Sequence, residues 1–198
     1  MLETTRGEDM WVWPIISYLL AGINGAYVIT KYKLQKDITT LGSGTGGARN
    51  AGRVAGKQAF IWTVVIDALK TILPLSLALY LSISSVILAA MIIAAVAGHI
   101  WSIWLKGCGG KGVVAYLACT LVLEWPGLLI FGGAALLAKY LPVSFSKVMV
   151  VAMIIPVVSA FFRGNPAVSF GLLIGYGLVV LSHLYPVHPG SMKEEEHL

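Results

Sequence analysis

Long apolar stretches, separated by short polar segments, dominate the hydropathy pattern of this chain. They predict seven helices, at residues 11–30, 58–81, 84–105, 112–123, 126–140, 144–162 and 167–185. Five of these are close to or above the roughly 20 residues that a helix needs to cross the hydrocarbon core of a bilayer. We therefore expect an all-α integral membrane protein with about seven transmembrane helices, two of them short.

Composition supports the same class. The chain has 198 residues, of which 58% are hydrophobic and only 12% are charged, whereas average soluble chains carry roughly 25% charged residues. A soluble globular domain is therefore excluded. The length suits a single membrane domain over 1–198, with a helical bundle at 11–187 and a polar tail at 188–198.

Lysine and arginine are distributed unevenly between the two sides of the predicted bundle. If sides alternate at each helix, residues 31–57, 106–111, 139–147 and the tail share one side, and the basic residues outside that side are Arg6, Arg163 and the intramembrane Lys70. Cytoplasmic loops carry the excess of positive charge. We expect a multi-pass protein of the cytoplasmic membrane, with the N-terminus outside and the C-terminus in the cytoplasm.

Two glycine-rich basic loops on that cytoplasmic side are the candidate site. The first reads Gly-Ser-Gly-Thr-Gly-Gly-Ala-Arg-Asn-Ala-Gly-Arg at 42–53, and the second Lys-Gly-Cys-Gly-Gly-Lys-Gly at 106–112. Glycine allows positive φ and brings backbone N–H groups into concave anion sites, while arginine and lysine bind phosphate. The predicted phosphate-binding residues are Gly42, Gly44, Gly47, Asn50, Gly109, Gly110 and Gly112. Helix packing, the alternative role for glycine, explains Gly171 and Gly175 better than it explains these polar loops.

Other chemistries find little support. Gly56-Lys57 and Gly110-Lys111 lack the spacing of a nucleotide-binding P-loop. The four histidines are scattered, and no metal, cofactor or nucleic-acid partner is expected. Asp67 and Lys70 lie one turn apart inside a predicted span, either as a structural ion pair or as site-lining groups. His99, just before the second loop, is either a buried structural histidine or a functional one.

The order and spacing of these motifs carry a family resemblance. Residues 42–57 read G-S-G-x-x-G-A-x-N-x-x-R-x-x-G-K, followed by D-x-x-K at 67–70, G-H at 98–99 and G-G-K-G at 109–112. This string resembles the bacterial acyl-phosphate-dependent glycerol-3-phosphate acyltransferases, the PlsY family. One departure adds a charge, because the family's Ala-Thr-Asn is Ala48-Arg49-Asn50 here.

The resemblance implies a seven-helix membrane enzyme of phospholipid biosynthesis. It would move a fatty acyl group from acyl phosphate to glycerol 3-phosphate in the bilayer, giving lysophosphatidic acid and phosphate. The implied catalytic residues are Ser43, Arg53, Lys111 and His99. The oligomeric state is left open.

A second hypothesis remains beside the first. The family's C-terminal His-Arg-Glu-Asn segment is missing, although His183 or His188 stands near the place of its histidine. A degenerate homologue would be a non-catalytic or transport-type membrane protein that binds phosphate-bearing anions.

Overall fold

The computed structural model describes residues 9–138, 140, 142 and 144–185. The sequence predictions for the polar tail at 188–198, and for the side on which Arg6 and Lys139 lie, fall outside those residues. Every regular element among these residues is a helix. The helices are α1 (Val12–Gly22), α2 (Gly25–Leu34), α3 (Ala48–Ala55), α4 (Lys57–Tyr80), α5 (Ser85–Ile100), α6 (Val113–Leu123), α7 (Trp125–Ala138), α8 (Phe145–Ala152), α9 (Ile155–Phe162) and α10 (Pro166–Leu184).

Within the described residues, five segments are long and apolar enough to cross a membrane. They are α1 with α2, α4, α5 with the turn that follows it, α8 with α9, and α10, while α6 and α7 are shorter apolar helices. Each of the seven predicted helices corresponds, within a few residues, to one of these segments or short helices. Many large apolar side chains, such as Leu73, Leu129 and Phe161, are exposed on the outside of the bundle. Soluble proteins rarely expose so much apolar surface, whereas such a surface is favourable in contact with lipid, so the fold is that of a multi-pass membrane protein.

The first span is broken, which the apolar pattern did not predict. Asn24 interrupts the helix and caps α2, since its Oδ1 accepts a hydrogen bond from the N–H of Tyr27 at 2.8 Å. Free backbone groups at such a break need partners, because lipid offers none. The partners come from distant helices and place the break next to the glycine loops.

The first glycine loop contains a helix that the hydropathy pattern did not predict. Residues 48–55 form α3, although Gly52 and Asn50 disfavour helix locally. Tertiary contacts decide the conformation: Ala51 and Ala55 are buried against Ala26, Ile38 and Ala59. Lys33 Nζ also donates a 2.8 Å hydrogen bond to the carbonyl of Ala55 at the end of α3.

Helix α5 lies at the centre of the bundle, packed between α1 and α10. Its residues Met91, Ile92 and Val96 are fully buried. Close approach is made possible by glycine, since a Cβ at Gly98 would overlap the backbone of Tyr18, and one at Gly171 would crowd that of Ala89. In lipid there is no hydrophobic driving force between helices, so their association relies on close packing, which small residues at such crossings allow. The C-terminus of α5 is thereby fixed beside the second glycine loop.

Candidate active site

The side chain of Asn50 organises the first glycine loop. Its Oδ1 accepts from the N–H of Ser43 at 3.0 Å, and its Nδ2 donates to the carbonyls of Leu41 and Thr45 at 2.9 and 3.0 Å. Gly42, with φ of 59°, lies so close that a Cβ there would overlap Asn50 Oδ1. Because the amide is buried and occupied by the loop, we assign Asn50 to positioning rather than to the phosphate contact that the sequence suggested.

Gly46 joins the two glycine loops to the broken first span. Its N–H donates to the carbonyl of Gly109 at 3.0 Å, and its own carbonyl accepts from Asn24 Nδ2 at 2.8 Å. A Cβ on Gly46 would crowd the Asn24 amide. The prediction that the loops share one face is consistent with this direct contact between them.

The second loop holds the end of α5. The N–H groups of Gly109 and Gly110 donate to the carbonyls of Ile100 and His99, at 2.9 and 3.0 Å. These N–H groups are therefore occupied and are not available for the phosphate contacts that the sequence predicted. We assign Gly109 and Gly110 instead to holding Lys111 and His99 in position. Gly112, with φ of 77°, starts α6 behind Lys111.

A cavity of about 410 Å³ opens beside these loops. Its walls come from α4, α6, α7 and α8 and are mostly apolar. Its polar residues cluster near the loops. The lining residues are Gly47, Ala48, Arg49, Phe60, Val64, Asp67, His99, Lys111, Val113, Val114, Leu117, Phe131, Phe145, Ser146, Met149, Val150, Met153 and His183.

The N-terminus of α3 faces this cavity. The N–H groups of Gly47, Ala48 and Arg49 have no hydrogen-bond acceptor among the described residues. Free donors and the helix dipole at such a terminus favour an anion. Lys111, which lines the same cavity with an exposed side chain, adds a positive charge. The main chain of Lys111 contacts α10, where Ser182 Oγ shares its one proton between the carbonyls of Lys111, at 3.0 Å, and Val179, at 2.8 Å.

Two histidines line the cavity. His99 is almost wholly buried, and its Nδ1 has no partner within the described part of the chain. His183 lies 2.8 Å from the carbonyl of Val179 through Nδ1. Because a carbonyl only accepts, Nδ1 carries a proton, which leaves Nε2 as the nitrogen that can act as an acceptor. The cavity therefore contains a candidate base whose tautomer is fixed.

Asp67 and Lys70 stabilise the helix break, and Asp67 also lines the cavity. Their 2.8 Å ion pair is buried. Asp67 Oδ1 also accepts from the N–H of Gly25, at the start of α2, and Lys70 Nζ donates to the carbonyl of Ile23, after the end of α1. Each charge thus complements a helix dipole. Asp67 Oδ2 remains without a partner among the described residues while Asp67 lines the cavity, so both sequence hypotheses for the pair find support.

A second, smaller cavity of about 180 Å³ shares Lys111 with the first. It is lined by Thr45, Ile100, Trp101, Gly109, Gly110, Lys111, Leu181, Ser182 and Tyr185. Ser43 approaches it through Thr45, because the two hydroxyl oxygens are 3.0 Å apart. Lys111 thus stands between two compartments of different size.

The remaining predicted residues lie around this centre. Arg53 is exposed on α3, one turn beyond Arg49 and on the same face. Gly44 turns the first loop with φ of 70° and donates to Leu41. The sequence singled out Arg53, whereas Arg49 is the arginine that lines the cavity. Sequence reasoning missed Arg49 because it did not predict α3, whose first turn places this residue beside Gly47.

Cys108, in the second loop, offers no evident nucleophile. It is buried, and burial raises the pKa of its thiol. The neutral thiol is a poor nucleophile, since the thiolate is the reactive form.

The fold and the cavity define a class: a multi-pass helical membrane protein whose mostly apolar cavity is also lined by basic residues, Arg49 and Lys111. A family model described as glycerol-3-phosphate acyltransferase matches residues 11–187. A glycerol-3-phosphate acyltransferase of Prochlorococcus marinus is 36% identical over 151 residues, which cover 75% of this chain and 76% of the relative. The chain therefore belongs to the glycerol-3-phosphate acyltransferase family.

Other relatives match over a shorter region. Glycerol-3-phosphate acyltransferase 1 of Desulfitobacterium hafniense is 44% identical over 108 residues, and that of Bacillus thuringiensis is 38% identical over 115 residues. The chain spans 54% and 63% of the length of these two proteins, less than two thirds in each case.

Solved structures share the fold. The crystal structure of PlsY in its glycerol 3-phosphate form, an integral membrane glycerol 3-phosphate acyltransferase, superposes with a TM-score of 0.80 at 27% identity, covering 89% of this chain and 88% of that one. Its lysophosphatidic acid form gives a TM-score of 0.77 at 26% identity, with 88% of each chain covered.

Proposed function

We propose that this protein transfers a fatty acyl group from acyl phosphate to glycerol 3-phosphate, giving lysophosphatidic acid and inorganic phosphate. The observation that carries the proposal is the 410 Å³ cavity, where free N–H groups of α3, Lys111 and two histidines meet apolar walls. A fatty acyl phosphate has the same division, with a charged end and an apolar chain. Membership of the family and the relatives' activity support the assignment.

In this proposal the larger cavity takes the donor. Its phosphate sits at the N-terminus of α3, and its chain runs between α4, α6, α7 and α8. The smaller cavity takes glycerol 3-phosphate, and Lys111 touches both phosphates because it lines both compartments. Ser43 and Arg53 complete the phosphate end from the exposed side of the loop and of α3.

The transfer is direct. The acceptor hydroxyl attacks the acyl carbonyl carbon, its proton passes to Nε2 of His183, and the donor's C–O bond to phosphate breaks. His99, through its unpartnered Nδ1, hydrogen-bonds and orients the reacting groups. Holding two reactants in this way supplies about 7–11 kcal/mol of a barrier. Because acyl phosphate has a good leaving group, no acyl-enzyme intermediate is required.

The test is an assay of purified protein in lipid nanodiscs with acyl phosphate and glycerol 3-phosphate, following both phosphate and lysophosphatidic acid. We expect the two products in equal amounts. Phosphate release without lysophosphatidic acid, or equal turnover with acyl-CoA as donor, would contradict the proposal. Saturable binding of both substrates without turnover would favour the non-catalytic alternative.

We also infer seven membrane crossings, with the N-terminus outside, the C-terminus in the cytoplasm and the site facing the cytoplasm. The support is the contact between the two basic loops through Gly46 and Gly109, together with the excess of positive charge in both loops. Soluble glycerol 3-phosphate would then reach Lys111 directly from the cytoplasm.

A further inference from the structure

Arg49 makes a contact that connects the phosphate end of the cavity to its apolar wall. It lies in the first turn of α3, beside the free N–H groups, and its Nη1 donates to Ser146 Oγ at 3.1 Å. Ser146 lies in the first turn of α8. Both residues line the 410 Å³ cavity.

Helix α8 is the least anchored wall of that cavity. None of its residues is buried, and it packs mainly against α7. Its side chains Phe145, Met149 and Val150 nevertheless form part of the apolar lining. Elements with few buried contacts open most easily. The bond from Arg49 to Ser146 is therefore a direct tie between α8 and the phosphate end.

That tie is easily exchanged. A hydrogen bond of an exposed guanidinium to a neutral hydroxyl contributes little to stability, because water competes for both groups. A bond from arginine to a phosphate oxygen is charge-assisted and can be bidentate, which makes it roughly twice as strong. A phosphate at the N-terminus of α3 would lie beside Arg49's own main chain. The phosphate would compete with Ser146 for the guanidinium and would displace it, because its bond to arginine is the stronger one.

We propose that Arg49 is a binding and specificity residue for the acyl phosphate donor, and that it exchanges Ser146 for the donor's phosphate. The empty site is closed by the tie to α8. The loaded site releases α8, so that the wall adjusts to the acyl chain and opens laterally for the lipid product. This inference rests on the proposed function for the identity of the donor, whereas the exchange of partners at Arg49 does not depend on turnover.

Kinetics of four variants provide the first test. Arg49→Ala is expected to raise KM for acyl phosphate about tenfold or more, with little change in kcat or in KM for glycerol 3-phosphate. Arg49→Lys should give a KM for acyl phosphate between those of the unmodified protein and Arg49→Ala, because lysine keeps the charge without the planar guanidinium. Ser146→Ala should lower KM for the donor about twofold to fivefold, since Arg49 no longer gives up a partner. Lys57→Ala, which removes an exposed charge at the start of α4, is the control.

Three kinetic results would overturn the inference. A rise of KM for glycerol 3-phosphate alone would assign Arg49 to the acceptor. Equal changes for both substrates, or the same loss in Ser146→Ala as in Arg49→Ala, would make the contact merely structural.

Hydrogen exchange of residues 145–152 separates this inference from the proposed function. Inorganic phosphate is added to the protein without substrates. Exchange in α8 is expected to speed up about fivefold in the unmodified protein, and to be fast and insensitive to phosphate in Arg49→Ala. If the protein proves inactive yet shows this pattern, the proposed function fails and the exchange at Arg49 stands. If phosphate does not change the exchange rate of α8 in an active protein, the inference about Arg49 fails while the proposed function stands.

Discussion

At the scale of single residues, the site separates groups that hold the loops from groups that remain free for a ligand. Asn50 has its amide occupied by three loop contacts, at Ser43, Leu41 and Thr45. Lys111, in contrast, has its main chain fixed by Ser182 while its ammonium group makes no ion pair among the described residues. A charge that is held in place but unpaired is suited to bind an anion.

Lys111→Ala is therefore expected to cut the rate about thirtyfold or more, because one charged contact to each phosphate is lost. The fold should survive, since the side chain is exposed and packs no core. Lys57→Ala is a matched control for the loss of one exposed charge, and it should keep most activity. The measurement is phosphate release with both substrates, alongside a thermal unfolding midpoint. Near-parental rates in a folded Lys111→Ala protein would remove Lys111 from the phosphate site.

At the scale of elements, glycine sets how closely the second loop approaches the end of α5. A Cβ on Gly110 would overlap His99 Nε2, and one on Gly109 would overlap the carbonyl of His99. The two residues also close α5 by donating to its last carbonyls. The position of His99 in the cavity thus depends on the absence of side chains opposite it.

Gly110→Ala should displace the His99 ring and reduce kcat about tenfold to hundredfold, since small misplacements at a reacting centre are costly. Gly132→Ala provides the control. Gly132 lies within α7, and a Cβ there would meet no atom within 4 Å. Alanine at such a helical position is neutral or slightly stabilising. Equal kcat values for Gly110→Ala and Gly132→Ala would show that the approach of the loop to His99 is not needed.

The ion pair of Asp67 and Lys70 belongs to the break between α1 and α2. Lys70→Met leaves a buried carboxylate uncompensated, which typically costs about 3–5 kcal/mol. The double variant Asp67→Asn with Lys70→Met should recover most of that loss, because the amide oxygen still accepts from Gly25. The unfolding midpoint in detergent measures this recovery. A double variant no more stable than Lys70→Met would contradict it.

The activity of the same double variant distinguishes the second role of Asp67. If its free Oδ2 contributes to the cavity, the stable double variant remains impaired in turnover. Full activity in the rescued protein would confine the pair to the helix break.

At the scale of the whole molecule, local pattern was sufficient for the helices but not for their breaks. The apolar runs predicted each long helix within a few residues, because membrane-crossing length and composition are local properties. Helix α3 depends on the burial of Ala51 and Ala55 against other elements, and the break at Asn24 depends on Asp67 and Lys70. Such contacts join residues far apart in sequence, and hydropathy does not record them.

The candidate site shows the same division. The residue types and spacing of the glycine loops predicted an anion site, and the structure places Gly47 and Lys111 together in one cavity. The packing of α5 decides that Gly109 and Gly110 cap its C-terminus. The packing of α3 and α10 decides that Arg49 and His183 line the cavity. These depend on tertiary structure, so the sequence could name the kind of ligand but not every residue that meets it.

The orientation of the molecule is tested at the two ends of one helix. Lys57 begins the 24-residue helix α4 beside the first glycine loop, and Tyr80 ends it, about 35 Å away by the rise of an α-helix. Both side chains are exposed, whereas the native Cys108 and Cys119 are buried and should label slowly. In intact cells, a membrane-impermeant maleimide should label Tyr80→Cys, and it should label Lys57→Cys only after permeabilisation. The positive charge of both loops favours this orientation. The reverse labelling pattern would place Lys111 on the outer surface. It would overturn the proposal that glycerol 3-phosphate reaches the site from the cytoplasm.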